Sequence, residues 1–171
     1  IKAVGISGKD GMMLKCHKKL SKGEDIGFVG EVDKVDPQVI YDLLEKDFLP
    51  IICPIGYDEN FLSYNINADD AACGVAKAME AEKLVFLTDV AGVLKDVNDP
   101  SSIMSFIKAD DIQGLIDDGT ISGGMIPKVE CCLEAVKQGV NNVHILDGRV
   151  QHCLILELLT TKGIGTMIEK K

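Results

Sequence analysis

Short apolar runs of strand length alternate along this chain with segments whose apolar residues recur at helical spacing, and that alternation restricts the fold more than any single residue does. Strands are expected at 3–6, 12–17 and 26–32, with the glycine-flanked turn at 8–11 closing a hairpin between the first two. Asp36 is placed to cap a helix that Pro37 begins, because the fixed φ of proline suits the first helical position. Val39, Ile40, Leu43 and Leu44 supply its apolar stripe to about residue 46. A buried strand over 48–55 follows, then an alanine-rich helix that Asn67 caps and that Asp69 and Asp70 favour at its positive end. Further strands at 83–88, 143–146 and 166–168 interleave with helices near 109–117, 127–137 and 151–159, the second of these stopping at Gly139. Strands separated by helices of this length predict an α/β fold: a largely parallel sheet with helices on both faces.

Composition removes several function classes. The 171 residues are 46% apolar and 26% charged, enough for a sizeable core and unlike a disordered chain. A net charge of -9 without a lysine-rich block argues against a nucleic-acid surface. No apolar run reaches the roughly 18 residues of a membrane span, and the opening Ile1-Lys2-Ala3-Val4 does not read as a signal peptide, so a cytoplasmic or organelle-matrix protein is expected. The six cysteines show no CxxC spacing and mostly sit in apolar stretches, which predicts reduced core thiols rather than zinc ligands. The chain opens directly into an apolar segment without methionine, as a piece of a longer polypeptide would.

Three segments carry chemistry. In open parallel sheets ligands bind beyond the carboxyl ends of strands, where Thr88, Asp89, Val90, Ala91, Gly92, Val93 and Leu94 are expected. These residues can wall a nucleotide pocket, or form a tight turn with Asp89 as a local cap. Gly123 and Gly124 lead into a helix whose first turn carries Lys128, a cation that opposes the helix dipole unless an anion such as phosphate offsets it. A solvated lysine beside a mobile loop is the alternative. The pattern is neither a Walker A loop nor a Rossmann fingerprint. Asn65, Asn67 and Asp69 recur at spacing two, so a polar substrate can be held there, or the three are only a capping cluster.

Taken together, Tyr64-Asn65-Ile66-Asn67-Ala68-Asp69, Leu87-Thr88-Asp89-Val90-Ala91-Gly92-Val93-Leu94 and Gly123-Gly124-Met125-Ile126-Pro127-Lys128-Val129-Glu130 resemble the acetylglutamate kinases of the amino acid kinase family. Gly27-Phe28-Val29-Gly30-Glu31-Val32, His144-Ile145-Leu146-Asp147-Gly148-Arg149 and Gly163-Ile164-Gly165-Thr166 extend the likeness over nearly the whole chain. The resemblance implies the amino acid kinase fold, incomplete at its N-terminus, with residues 1–80 the remainder of a substrate-binding lobe and 81–171 an ATP-binding lobe. It implies phosphorylation of the side-chain carboxylate of N-acetyl-L-glutamate by ATP, with Mg bound through ATP, in arginine biosynthesis. Asn65 and Asn67 would bind the substrate, and Asp69 would organise catalytic lysines. Lys128 would stabilise the phosphoryl group in transfer. Residues 88–94 would surround ATP together with Thr120, Ile121, Ser122, Gly124 and Met125.

The family's N-terminal phosphate-contacting lysine, glycine-rich loop and substrate-carboxylate arginine have no counterpart here, and Arg149 stands in a different motif. This chain alone is therefore expected to be inactive or nearly so. Its tail is similar to the arginine-inhibited, usually hexameric branch of the family, which implies a homo-oligomer and an arginine site at His144, Glu157 and Gly163, with Lys83 nearby. A surface charge at Glu157 and a packed histidine at 144 are the plainer alternative. A PII-type signalling protein is a further partner that the resemblance implies. Competing functions are a non-enzymatic nucleotide- or arginine-binding module and another amino acid kinase.

Overall fold

The computed structural model describes residues 1–161 and 163–170. The chain divides into two units, Ile1–Met79 and Glu80–Lys171.

The first unit runs β1 (Lys2–Ser7), β2 (Leu14–Ser21), β3 (Glu24–Val35), α1 (Gln38–Leu44), β4 (Phe48–Cys53), β5 (Ile55–Tyr57), β6 (Ser63–Ile66) and α2 (Ala68–Ala78). Strands β2, β3, β6 and β5 close into a small barrel. Leu14, Cys16, Tyr64, Ile66 and Ala71 pack together there against Val32 and Val35. The hairpin expected at 8–11 does not form. Asp10 accepts hydrogen bonds from the Ser7 N–H (2.6 Å) and hydroxyl (2.9 Å) and the chain tightens into a 3-10 turn at Asp10–Met12, while β1 pairs in parallel with β4, from Lys2 against Phe48 to Ser7 against Cys53. The hairpin joins β2 to β3 instead, around Lys22 and Gly23, both at positive φ (51° and 84°), the backbone a two-residue hairpin turn requires. The strand expected over 48–55 breaks at Pro54, which lacks an N–H for a ladder; its carbonyl accepts the Ile66 N–H at 2.9 Å. The N-cap of α1 is Pro37 and not the expected Asp36, which stands one residue outside it and accepts the Gln38 N–H at 3.1 Å.

The second unit runs β7 (Lys83–Thr88), β8 (Phe106–Lys108), α3 (Ile112–Asp117), α4 (Met125–Lys137), β9 (Asn142–Asp147), α5 (Cys153–Leu159) and β10 (Thr166–Glu169), and its sheet has the order β7-β9-β10-β8. Strand β9 lies parallel to β7, from Lys83 against Asn142 to Thr88 against Asp147, and antiparallel to β10. Val143, His144, Ile145 and Leu146 are all buried, as a central strand covered on both faces requires. Helix α4 turns Val129, Cys132 and Val136 to the core at helical spacing. Burying each valine contributes about 1.5–3 kcal/mol. The fold is thus α/β with parallel pairs, but mixed: β2–β3, β5–β6 and β9–β10 are antiparallel.

Among the expected core thiols, Cys16, Cys132 and Cys153 are buried and outside any disulfide, whereas Cys53, also outside any disulfide, is exposed. Cys73 is not a reduced thiol, and neither is Cys131, contrary to that expectation. Among the described residues no helix is long and apolar enough to cross a membrane.

Candidate functional site

A cleft of about 400 Å³ opens beyond the carboxyl end of β7, where a parallel strand leaves its last peptide groups free to turn away. Thr88, Asp89, Val90, Ala91, Gly92, Val93 and Leu94 line one side, and Thr120, Ser122, Gly124, Met125 and Lys128 line the other. The loop is held by its backbone. The Thr88 hydroxyl accepts the Val90 N–H at 2.9 Å, the Thr88 carbonyl accepts the Gly148 N–H at 2.8 Å, and the Val93 carbonyl accepts the Met104 N–H at 2.8 Å. Thr120 is set by Asp118, whose carboxylate accepts its N–H at 2.9 Å.

Ile121 departs from the expectation. It is 1% exposed, its N–H donates to the Leu115 carbonyl at 2.8 Å, and its side chain belongs to the core between two residues that do face the cleft. Val97, by contrast, lines the cleft while 80% exposed, and sequence reasoning passed over it. Its one signal was a lone valine in an otherwise polar connection.

Helix α4 begins at Met125 with no side-chain cap, so its first amides and the positive end of its dipole lie beside the cleft residues Gly124 and Met125. Lys128 is half-buried in the first turn, with Nζ 5.5 Å from the centre of the Phe86 ring. A cation–π contact of this kind helps to place the ammonium beside the cleft. Backbone N–H groups, hydroxyls and a lysine around a partly apolar cavity suit a ligand with an apolar ring and an anionic tail. Among the described residues no group of three or more His, Cys, Asp or Glu side chains is arranged to hold a metal ion.

In the first unit, Asn65 and Asn67 are both exposed, flanking buried Ile66 on the strand that leads into α2. Asn67 is engaged as the helix cap: its Oδ1 accepts the N–H groups of Asp69 (2.9 Å) and Asp70 (3.2 Å). Asp69 lies half-buried in the first turn of α2.

A second polar centre lies inside the second unit. His144 Nδ1 is 2.8 Å from Glu157 Oε1, and each side chain is 5% exposed. Glu157 Oε2 accepts the N–H groups of Ile164 (2.7 Å) and Gly165 (3.1 Å). Burial pushes the Glu157 carboxyl up, but the Ile164 N–H, the His144 ring, the Gly165 N–H and the charge of His144 together hold it below the usual glutamate range. An ionised Glu157 requires the hydrogen on Nδ1, and the buried Nε2 of His144 has no hydrogen-bond partner among the described residues. Gly163 closes this centre, since a Cβ there would lie 2.9 Å from Glu157 Oε2. His144, Glu157 and Gly163 thus come together, whereas Lys83, at the start of β7, pairs with Glu82. Arg149 is held by Asp147, with Nε–Oδ1 and Nη2–Oδ2 distances of 2.9 and 2.8 Å.

A model of the amino acid kinase family matches residues 1–147. The chain is 51% identical to an acetylglutamate kinase of Heliobacterium modesticaldum over 178 residues, covering 99% of this chain and 60% of that protein. It is 54% identical to the acetylglutamate kinase of Campylobacter jejuni subsp. jejuni serotype O:23/36, covering 98% of this chain and 58% of that one. The chain therefore spans about 60% of the length of these curated relatives. Among solved structures, N-acetylglutamate synthase from Neisseria gonorrhoeae complexed with coenzyme A and L-arginine superposes with a TM-score of 0.81 at 27% identity, over 97% of this chain and 38% of that one.

Proposed function

Because this chain belongs to the amino acid kinase family, we propose that it is the larger part of an acetylglutamate kinase, a cytoplasmic enzyme of arginine biosynthesis. The observation that carries this reading is the convergence of residues 88–94, Thr120, Ser122, Gly124, Met125 and Lys128 on one cleft. That cleft takes ATP, with Mg carried in on the phosphates. A side-chain carboxylate oxygen of N-acetyl-L-glutamate attacks the γ-phosphorus while the bond to the β-phosphate oxygen breaks, giving an acyl phosphate and ADP with no proton transferred. Such a step needs in-line positioning and charge neutralisation more than covalent help. Lys128, at the positive end of α4, stabilises the charge on the moving phosphoryl group. In the whole protein Asn65 binds the acceptor, Asn67 fixes the entry to α2, and Asp69 organises the catalytic lysines.

The activity proposed is that of the whole protein. This chain covers about 60% of its relatives' length, and its single arginine is taken up by Asp147. ADP release with N-acetylglutamate, Mg and ATP is the test. The full-length protein is expected to turn over and its Lys128→Ala variant to lose most of that rate, while this chain alone stays at background. Full-length protein releasing ADP no faster with N-acetylglutamate than without it would sink the proposal.

A second reading concerns regulation. We propose an arginine site at His144, Glu157 and Gly163, where a guanidinium or α-ammonium group can donate to the ionised Glu157; the gonococcal synthase of similar fold was solved with L-arginine. Arginine should raise the melting temperature of the wild type and not of Glu157→Ala. An equal rise in both removes Glu157 from the site.

A further inference from the structure

Residues 163–166 form a strap fastened on two sides. Glu157 Oε2 grips one side through the N–H groups of Ile164 and Gly165. On the other, Thr166 opens β10 and its Oγ1 accepts the N–H of Val93 at 2.8 Å, reaching across 73 positions to the cleft loop. This bond is buried, with Thr166 0% and Val93 1% exposed, so no solvent stands ready to replace the acceptor. Neither partner can move aside. A Cβ on Gly92 would lie 2.6 Å from Thr166 Oγ1, so the loop backbone rests directly on the hydroxyl. Behind the strap, a Cβ on Gly165 would overlap the Ile145 carbonyl oxygen and Leu146 Cδ2, so the strap is pressed against β9.

We propose that Thr166 is a positioning residue for the nucleotide: its hydroxyl sets the height of the Gly92–Val93 backbone in the cleft and so sets the affinity for ATP, without touching it. The proposal rests on the reading of the cleft as an ATP site. Valine at 166 keeps the shape but leaves the Val93 N–H buried without an acceptor, and the loop must shift to hydrate it. Serine keeps the acceptor and loses only a methyl group.

The test is calorimetric titration of ATP into this chain and its Thr166→Ser and Thr166→Val variants, with a thermal melt of each. Thr166→Ser should bind within about 3-fold of wild type, and Thr166→Val on the order of 10-fold more weakly, as expected for one orphaned buried donor. Equal affinity of wild type and Thr166→Val overturns the proposal, and so does a Thr166→Ser variant as weak as Thr166→Val. Should Thr166→Val not fold, hydrogen exchange at the Val93 amide of the wild type decides. Slow exchange that slows further with ATP supports the proposal; exchange as fast as at exposed Asn98 overturns it. Wild type that binds no ATP refutes the cleft reading itself, a result separable from failure of the positioning role.

Discussion

Glu157 keeps its charge in a place where burial alone favours the neutral acid, and this makes its contribution pH-dependent in a definite direction. A carboxyl held below its ordinary value of 4.5 stabilises the folded state above that pH and loses the contribution as pH falls through the folded value. Wild type should therefore exceed Glu157→Gln in urea midpoint at pH 7, by a stability of about 1–3 kcal/mol, with the gap narrowing below about pH 4.5. A gap constant between pH 7 and pH 3 would count against the ionised, bonded carboxylate. At the surface, Asp147 is pulled down to about 2 by the side chain and then the backbone N–H of Arg149. In Arg149→Gln the carboxyl should titrate closer to its ordinary 3.8, which carbon-detected NMR of the side chain reads directly. An unmoved titration would mean that something other than Arg149 holds it. The Asp147–Arg149 pair was not singled out in the sequence, and His144 and Glu157 were grouped there only through the family resemblance. Asp147 and Arg149 stand two apart in a turn, but His144 and Glu157 meet only because α5 packs back on β9.

Helix α2 was the most legible element, because an N-cap and two first-turn carboxylates announce a helix start locally. Replacing Asn67 with alanine should cost about 1 kcal/mol and lower the melting temperature, while Asn67→Asp should recover most of it. No change in Asn67→Ala would mean that the cap is redundant. Elements defined by distant partners were less legible. Ser7 and Asp10 give no local sign that β1 will pair with Phe48 and its neighbours, so glycine-flanked turn residues were taken for a hairpin. Pro54 lies inside the single strand expected over 48–55, yet it is the break between two strands of different sheets. In the cleft, residues 88–94 could be read because they are consecutive. Ile121 was included by the same contiguity and lost to the core, since an apolar side chain between two polar ones turns inward. Thr166 could not be found that way, because its role is a hydroxyl meeting a backbone N–H across the fold.

In the molecule as a whole, the apolar surface left open is uneven. On the two-stranded β1–β4 sheet, Leu49 and Ile51 are 46% and 54% exposed on one face, although parallel strands are ordinarily covered on both. This chain should therefore self-associate as its concentration rises, in spite of its net charge of -9. Ile51→Lys should lower light scattering at equal concentration and leave ATP affinity unchanged, because the cleft is built wholly from the second unit. Scattering identical in wild type and variant would place the sticky surface elsewhere. The cleft's lining runs from Thr88 to Lys128, yet its brace is Thr166 on the last strand. Genetic exchange between relatives with a crossover point between 128 and 166 would inherit the loop from one parent and its brace from another. Surviving hybrids should carry both from the same ancestor, or from two ancestors that both place a hydroxyl at 166.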